Sequence, residues 1–282
     1  MTALPVRLMH LSDIHFGHED TNALKATAAY AKANRPDAIV VAGDITQQGR
    51  REEFAAARKW FDEFDVPVIV APGNHDTPII HLAARVTDPF GRYERYMEGL
   101  DSVGRLVELR DGAVRICALN TARGVQTRLN WADGVIDIKD LTKVLDLLSA
   151  GPPEAWRLLI CHHPLHEPGL SKVSVDTKRG RRALDLCAEA QVDAIFTGHI
   201  HDAFAHRLEN TRRPMVQMGS GTLSTRTRAS RPGFCIVEIA GDRLTQDVVS
   251  IEGDGLDISR NYDSQSLSLG GVASGTPGPT AR

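Results

Sequence analysis

Five short apolar runs in this chain each end on a cluster of residues able to hold a metal ion, and that repetition limits the folds open to it. Residues 6–11 lead into Asp13-x-His15, residues 38–42 into Gly43-Asp44, and residues 66–71 into Gly73-Asn74-His75-Asp76. Residues 157–161 lead into His162-His163-Pro164, and residues 194–197 into Gly198-His199-Ile200-His201. Bounded apolar runs of this length read as buried strands. With a further run at residues 115–119, they alternate with amphipathic stretches at 22–33, 52–64, 141–149 and 181–190, whose periodicity is helical. The alternation predicts an α/β sandwich. In an open α/β sheet, ligands bind beyond the carboxyl ends of the strands, so the five clusters are expected to form one site.

After Asp202 the texture changes to closely spaced β-like segments at 203–208, 215–218, 234–239 and 243–250, expected to be antiparallel strands completing a second sheet. From Ser259 small and polar residues dominate, so the chain divides into a domain over residues 1–258 and a disordered tail over 259–282. Two insertions break the alternation. Residues 77–100, with Phe90, Tyr93, Tyr96 and Met97, are expected to be helical, and residues 165–180 to form a loop; both are candidate substrate walls.

Composition removes several classes of function. In 282 residues, 33 basic side chains face 36 acidic ones, and the net charge of −3 supplies no field for a nucleic acid polymer or an anionic bilayer. No run approaches the roughly 20 apolar residues of a membrane span. The start of the chain is not expected to act as an export signal. Cys117, Cys161, Cys187 and Cys235 lie apart in apolar runs, as buried reduced thiols do. A cytoplasmic protein acting on a small molecule is the expectation, and self-association into a homo-oligomer is compatible with it.

Residues two apart in extended backbone face the same side, which would aim Asp13 with His15, and His199 with His201, into one cavity. Glycines at 43, 73 and 198 are expected to permit sharp turns. Carboxylate, imidazole and amide oxygen suit Mn, Fe, Co or Zn, and the lack of thiolates argues against a structural zinc site. Asp13, His15, Asp44, Asn74, His162, His199 and His201 are too many for one tetrahedral ion. Two ions about 3.5–4 Å apart, sharing a carboxylate, would use them all.

The ordered blocks D-x-H, G-D, G-N-H-D, H and G-H-x-H resemble the calcineurin-like metallophosphoesterases. The H-L-S-D-x-H start and the G-N-H-D block most resemble bacterial class III cyclic nucleotide phosphodiesterases, and Gly221-Thr222-Leu223-Ser224-Thr225-Arg226 is also similar to that group. This resemblance implies a four-layer αββα sandwich with a dinuclear metal site at the carboxyl ends of its strands. It implies that Asp13, His15 and His201 hold one metal, Asn74, His162 and His199 the other, and that Asp44 bridges them. The ions would be divalent or mixed-valence Mn, Fe, Zn or Co, with Mn and Fe favoured. His75 would donate a proton to the leaving alkoxide or stabilise charge, with Asp76 orienting its ring. A phosphodiester, a cyclic nucleotide such as cAMP first, would be hydrolysed by in-line attack of hydroxide bridging the metals.

Blander readings apply to the remaining residues. His163 is read as a packed neighbour of His162, His10 as a satisfied interior histidine, and His81 and His206 as surface residues, while His18 and His166 stay candidates for the cleft rim. Phe90, Tyr93 and Tyr96 favour packing over base stacking. Arg226 and Arg228 either meet an anionic substrate or belong to a solvated basic loop. Alternatives for the function are a glycerophosphodiesterase, a nucleotide-sugar pyrophosphatase of lipid A synthesis, and a non-catalytic scaffold; the shared core does not separate the enzymes.

Overall fold

The computed structural model describes residues 5–125, 132–169, 177–208, 214–228 and 230–265. Strand β1 (Val6–Leu11) leads into helix α1 (Thr21–Asn34), β2 (Ala38–Ala42) into α2 (Arg51–Phe61), and β3 (Val68–Ala71) into one turn of 3-10 helix at Asn74–Asp76. Two short helices follow, α3 (Leu82–Thr87) and α4 (Gly91–Tyr96), then β4 (Leu106–Leu109), β5 (Val114–Ala118), α5 (Ile138–Ser149), β6 (Trp156–Ile160), α6 (Gly180–Glu189) and β7 (Ala194–Thr197). The later strands are β8 (Phe204–Leu208), β9 (Met215–Gly219), β10 (Gly233–Ala240), β11 (Arg243–Glu252) and β12 (Gly255–Asp263). Capping starts the helices where the sequence changes: Asp20 accepts from the N–H groups of Asn22 and Ala23, and Asp137 from Lys139 and Asp140.

The strands form two six-stranded sheets, ordered β12-β11-β10-β1-β2-β3 and β4-β5-β6-β7-β9-β8. Strand alternation explains why they stack. In β1, Met9 and Leu11 face a core shared with Phe54 and Phe61 of α2, while Val6 and Leu8 face a second core between the sheets. In β6, Leu158 and Ile160 enter the inter-sheet core, and Leu159 joins Leu141, Leu148 and Ala183 under α5 and α6. Strands apolar on both faces must be covered on both, which gives four layers: helices, sheet, sheet, helices. Within the inter-sheet core His10 is fully buried, its ring 5.0 Å from that of Phe196, and burial pushes its imidazole down to about 3, so it packs there uncharged.

Two expectations need correction, and one strand was missed. The late strands do not complete one second sheet: β10, β11 and β12 extend the first antiparallel to β1, whereas β9 joins the second parallel to β7. The inward apolar side chains of β10 match both faces of β1, which places it there. Strand β12 runs across the expected boundary at Ser259, because its backbone continues the β11 ladder through Ser259 paired with Val248; residues 266–282 lie outside the described residues. Strand β4 was not foreseen, since the exposed Glu108 interrupts its apolar run. The insertion at 77–100 is helical, and its aromatics pack: Tyr93 is buried with its hydroxyl on the Val70 carbonyl, and Tyr96 stacks on Phe54. Of the insertion at 165–180, residues 170–176 lie outside the described residues.

No helix among the described residues is long and apolar enough to cross a membrane. All four cysteines are free and buried, and burial pushes the thiols of Cys117, Cys187 and Cys235 up to about 12. Thiolate is the reactive form. Native protein at pH 8 is therefore expected to leave Ellman's reagent unreduced, with all four thiols released in the unfolding transition; fast titration of any thiol before unfolding would contradict this packing.

Candidate active site

The carboxyl ends of β1, β2, β3, β6 and β7 converge on one edge of the sandwich, and the five sequence clusters meet there. Contacts between the sheets fix their register. The His162 ring, from the second sheet, donates through Nδ1 to the Ala42 carbonyl at the end of β2, 2.8 Å away. In return Asp13, beyond β1, accepts from the backbone N–H of His199 at 2.9 Å. The segment after β9 closes the third side: Thr222 Oγ1 donates to the Asp13 carbonyl at 2.6 Å, and Ser12 Oγ to Asp13 Oδ2 at 2.7 Å.

The backbone that presents these groups is not extended. Asp13, His15, Asp44, His199 and His201 have φ between 51° and 70°, the left-handed region that costs a residue with a Cβ. Asp13 and His15 nevertheless reach one locus with His201, because each turns through a left-handed step instead of alternating along a strand. Glycine is needed for two separate reasons. Gly43 has φ of +83°, but Gly73 has φ of −106°, and a Cβ there would lie 2.1 Å from Asp44 Oδ1; its role is close approach.

Among the described residues, four overlapping groups gather ligand atoms within 4.8 Å: Asp13, His15 and His201; His15, Asp44 and His75; Asp13, Asp44 and His162; and His162, His163 and His199. Asp44 Oδ2 lies 3.3 Å from His162 Nε2 and 3.8 Å from His15 Nε2. His201 Nε2 lies 3.2 Å from Asp13 Oδ1 and 3.3 Å from His15 Nε2, while His199 approaches His162 Nε2 through Nδ1 at 3.3 Å. Carbonyl oxygens only accept, so His162, bound to Ala42, and His201, bound to the Arg226 carbonyl at 2.8 Å, both carry their proton on Nδ1. Their Nε2 atoms then face carboxylates, an arrangement that needs a positive charge between them, a proton or, in its place, a metal ion.

Electrostatics point the same way. Burial raises the Asp13 and Asp44 carboxyls, but the His201 and His162 imidazoles outweigh it and hold both well below the usual carboxylate range. Burial drives His15 down to about 3 and, with repulsion from His162, His199 to about 4. His162 is lifted to about 9, because Asp44 overcomes its burial. Such a pocket stabilises cations placed between its carboxylates. Asn74 Oδ1 is buried without a hydrogen-bond partner, an orphan acceptor that a cation would satisfy. The donor set of carboxylate, imidazole and amide oxygen therefore fits metal ions, and these residues could hold them.

His75 and Asp76 are held by separate partners. The His75 ring donates from Nδ1 to the Gln47 carbonyl at 2.7 Å, and its Nε2 accepts from the Arg226 guanidinium at 3.3 Å. Asp76 therefore does not orient that ring. Its buried carboxylate instead accepts from the N–H groups of Gly73, Ile45 and Thr46 and from the Thr46 hydroxyl, tying the Asp44 loop to the Asn74 loop. His163 is occupied on both ring nitrogens, by Thr121 Oγ1 and the Ala132 carbonyl. Gln47 and Thr46 escaped the sequence reading, since nothing in their type or spacing marks them; Ser12 entered it only inside the H-L-S-D-x-H block, and Arg226 as one of two readings, of which contact with the site is the one observed. Asp76→Ala would leave those donors unsatisfied and is expected to cost about 3 kcal/mol or more, read from urea unfolding, with Asp76→Asn intermediate. An unchanged midpoint in the alanine variant would show that the loops are held some other way.

A probable cyclic nucleotide phosphodiesterase from Synechococcus is 26% identical over 222 residues, 72% of this chain and 76% of the relative. A probable glycerophosphodiester phosphodiesterase GpdQ from Arcobacter nitrofigilis is 30% identical over 177 residues, 59% of this chain and 57% of the relative, so the chain spans just over half of it. A dimetal phosphatase from Danio rerio shares the fold with a TM-score of 0.64 at 13% identity, covering 91% of this chain and 98% of that one. The calcineurin-like phosphoesterase family matches residues 6–203, from β1 through the last metal-capable cluster, and the chain belongs to that family of phosphoric ester hydrolases.

Proposed function

We propose that this chain is a dinuclear-metal phosphodiesterase with a cyclic nucleotide as its first substrate to test. The observation that carries the reading is Asp44, whose carboxylate belongs to two metal-capable groups at once, one with His15 and one with His162. Asp13, His15 and His201 would hold one ion, Asn74, His162 and His199 the other, and Asp44 both. Mn and Fe suit this mixed oxygen and nitrogen set. Bound there, the ions supply Lewis-acid polarisation of the phosphoryl group and an activated water. Names given to relatives keep a glycerophosphodiester as the second substrate class. A non-catalytic scaffold fits poorly, because every ligand position is filled by a competent residue.

The chain's own residues would orient the substrate. His75, anchored by Gln47, has its Nε2 lone pair covered by Arg226, so the pair presents a guanidinium to an incoming anion. Arg226 also donates to Gln47 Oε1 at 3.2 Å, and both contacts can be exchanged for phosphoryl oxygens. Of the two roles expected for His75, sharing charge stabilisation with Arg226 is the one this geometry favours. Asp44→Asn and Asn74→Ala are expected to abolish hydrolysis of bis(p-nitrophenyl) phosphate with Mn and to lower bound metal by elemental analysis; full activity in either would sink the ligand assignment. His75→Ala should keep its metal while turnover falls about 10²–10³-fold. Loss of metal in that variant would make His75 a ligand instead.

A further inference from the structure

Beside the site lies a cleft of about 420 Å³ that none of the metal-capable residues line. Its walls bring Arg50, Arg51 and Arg92 together with Gln48, His81 and Ile80, against the single carboxylate of Glu52. Some arginines of this chain sit in ion pairs, as in Arg7–Glu238, Arg58–Asp62, Arg231–Glu252, Arg243–Asp263 and Arg260–Asp247. Among the described residues, Arg50, Arg51 and Arg92 form no ion pair. Arg92 is held in place by donating to the Gly49 carbonyl at 2.7 Å, which leaves the rest of its guanidinium free to bind. Three guanidinium groups around one concavity with one opposing carboxylate repel each other unless an anion joins them.

The cleft and the site share a wall. The Gln47 carbonyl holds His75, and the next residue, Gln48, lines the cleft and receives the Ile79 N–H through its carbonyl. The two loops that present His75 therefore continue outward as the sides of the cleft. Gly49, at φ +65°, fixes this join: a Cβ there would lie 2.6 Å from the Thr77 carbonyl carbon and oxygen. From Gln47 to Arg50 the chain can span at most about 10 Å, a distance one sugar with its flanking phosphates can bridge.

Resting on the phosphodiesterase reading for the neighbouring site, we propose that the cleft binds a second phosphate of the same substrate. The preferred substrate would then be a phosphodiester that also carries a phosphomonoester, gripped by Arg50, Arg51 and Arg92 through charge-assisted hydrogen bonds. The metal site recognises the scissile phosphoryl group, and the cleft selects among the molecules that carry one.

A matched pair tests this: thymidine 5′-(p-nitrophenyl phosphate) and its 3′-phosphorylated form, assayed with the metal-loaded full chain. The expected result is a kcat/KM about tenfold or more higher for the phosphorylated substrate, mostly through KM, since the added contact is made equally in the ground and transition states. The double variant Arg50→Gln/Arg51→Gln, at two exposed positions, should lose that preference and hydrolyse the unphosphorylated substrate as the wild type does. Calorimetric titration of metal-free protein with thymidine 3′,5′-bisphosphate supplies a readout that needs no turnover, and the double variant should bind about tenfold more weakly. Equal rates for the two substrates in the wild type, or equal bisphosphate affinity in wild type and variant, would overturn the cleft proposal. Arginine-dependent binding without hydrolysis of either substrate would instead overturn the phosphodiesterase reading and leave the cleft standing.

Discussion

The seam where the two sheets meet at their carboxyl edges governs this molecule. One sheet's last carbonyl, Ala42, fixes the tautomer of the other sheet's His162, and the second sheet's His199 N–H docks on the first sheet's Asp13. Neither sheet holds a complete site. The inter-sheet core, from Leu8 and Val40 on one side to Leu158 and Phe196 on the other, sets the separation at which those contacts form. Packing of this kind has little slack, so ligand atoms inherit the rigidity of the core instead of the looseness of surface loops. A family can therefore keep its chemistry while the segments around the site vary.

That division is visible in the surroundings. The cation-seeking groups are buried and tightly bonded, whereas Arg226 and Gln47 sit in loops and the cleft arginines Arg51 and Arg92 in the first turns of α2 and α4. His75 stands at the boundary. Its backbone N–H is fixed on Asp44, its Nδ1 on Gln47, and only its Nε2 faces a mobile type of group, a guanidinium. Selectivity in such a design belongs to the rim, where the insertion carrying α3 and α4 leaves Ile80, Leu82 and Val86 exposed beside the arginines.

The sequence disclosed the repeating architecture well, because strands buried on both faces leave uninterrupted apolar runs: the expected β1, β2 and β7 coincide with the observed ones. Sheet membership was less legible, since the pairing of β10 with β1 joins residues more than two hundred positions apart and leaves no local trace. At the site, residue types capable of binding metal could be read directly from the strand ends. How they are held could not. Asp76 was read as a partner of the adjacent ring, but its carboxylate turns toward backbone donors of another loop; proximity in sequence misled where the fold offered buried N–H groups in greater need. The left-handed turns at Asp13 and His15 also passed unnoticed, because no glycine marks them.

Those turns have a thermodynamic consequence. Five side chains with a Cβ occupy a conformation that glycine adopts freely, at a cost on the order of 1 kcal/mol each. The native state thus carries several kcal/mol of local strain concentrated in a few residues, offset by the packed sheets beneath. Random substitution that relieves it would raise the melting temperature while removing the metal-capable side chain it replaces. In a mutational survey of this chain, thermal gain would coincide with a lost metal-capable side chain at these five positions and stand alone at Arg35, Arg110, Asp111, Arg179 and Gln191, which share the left-handed backbone outside the cluster.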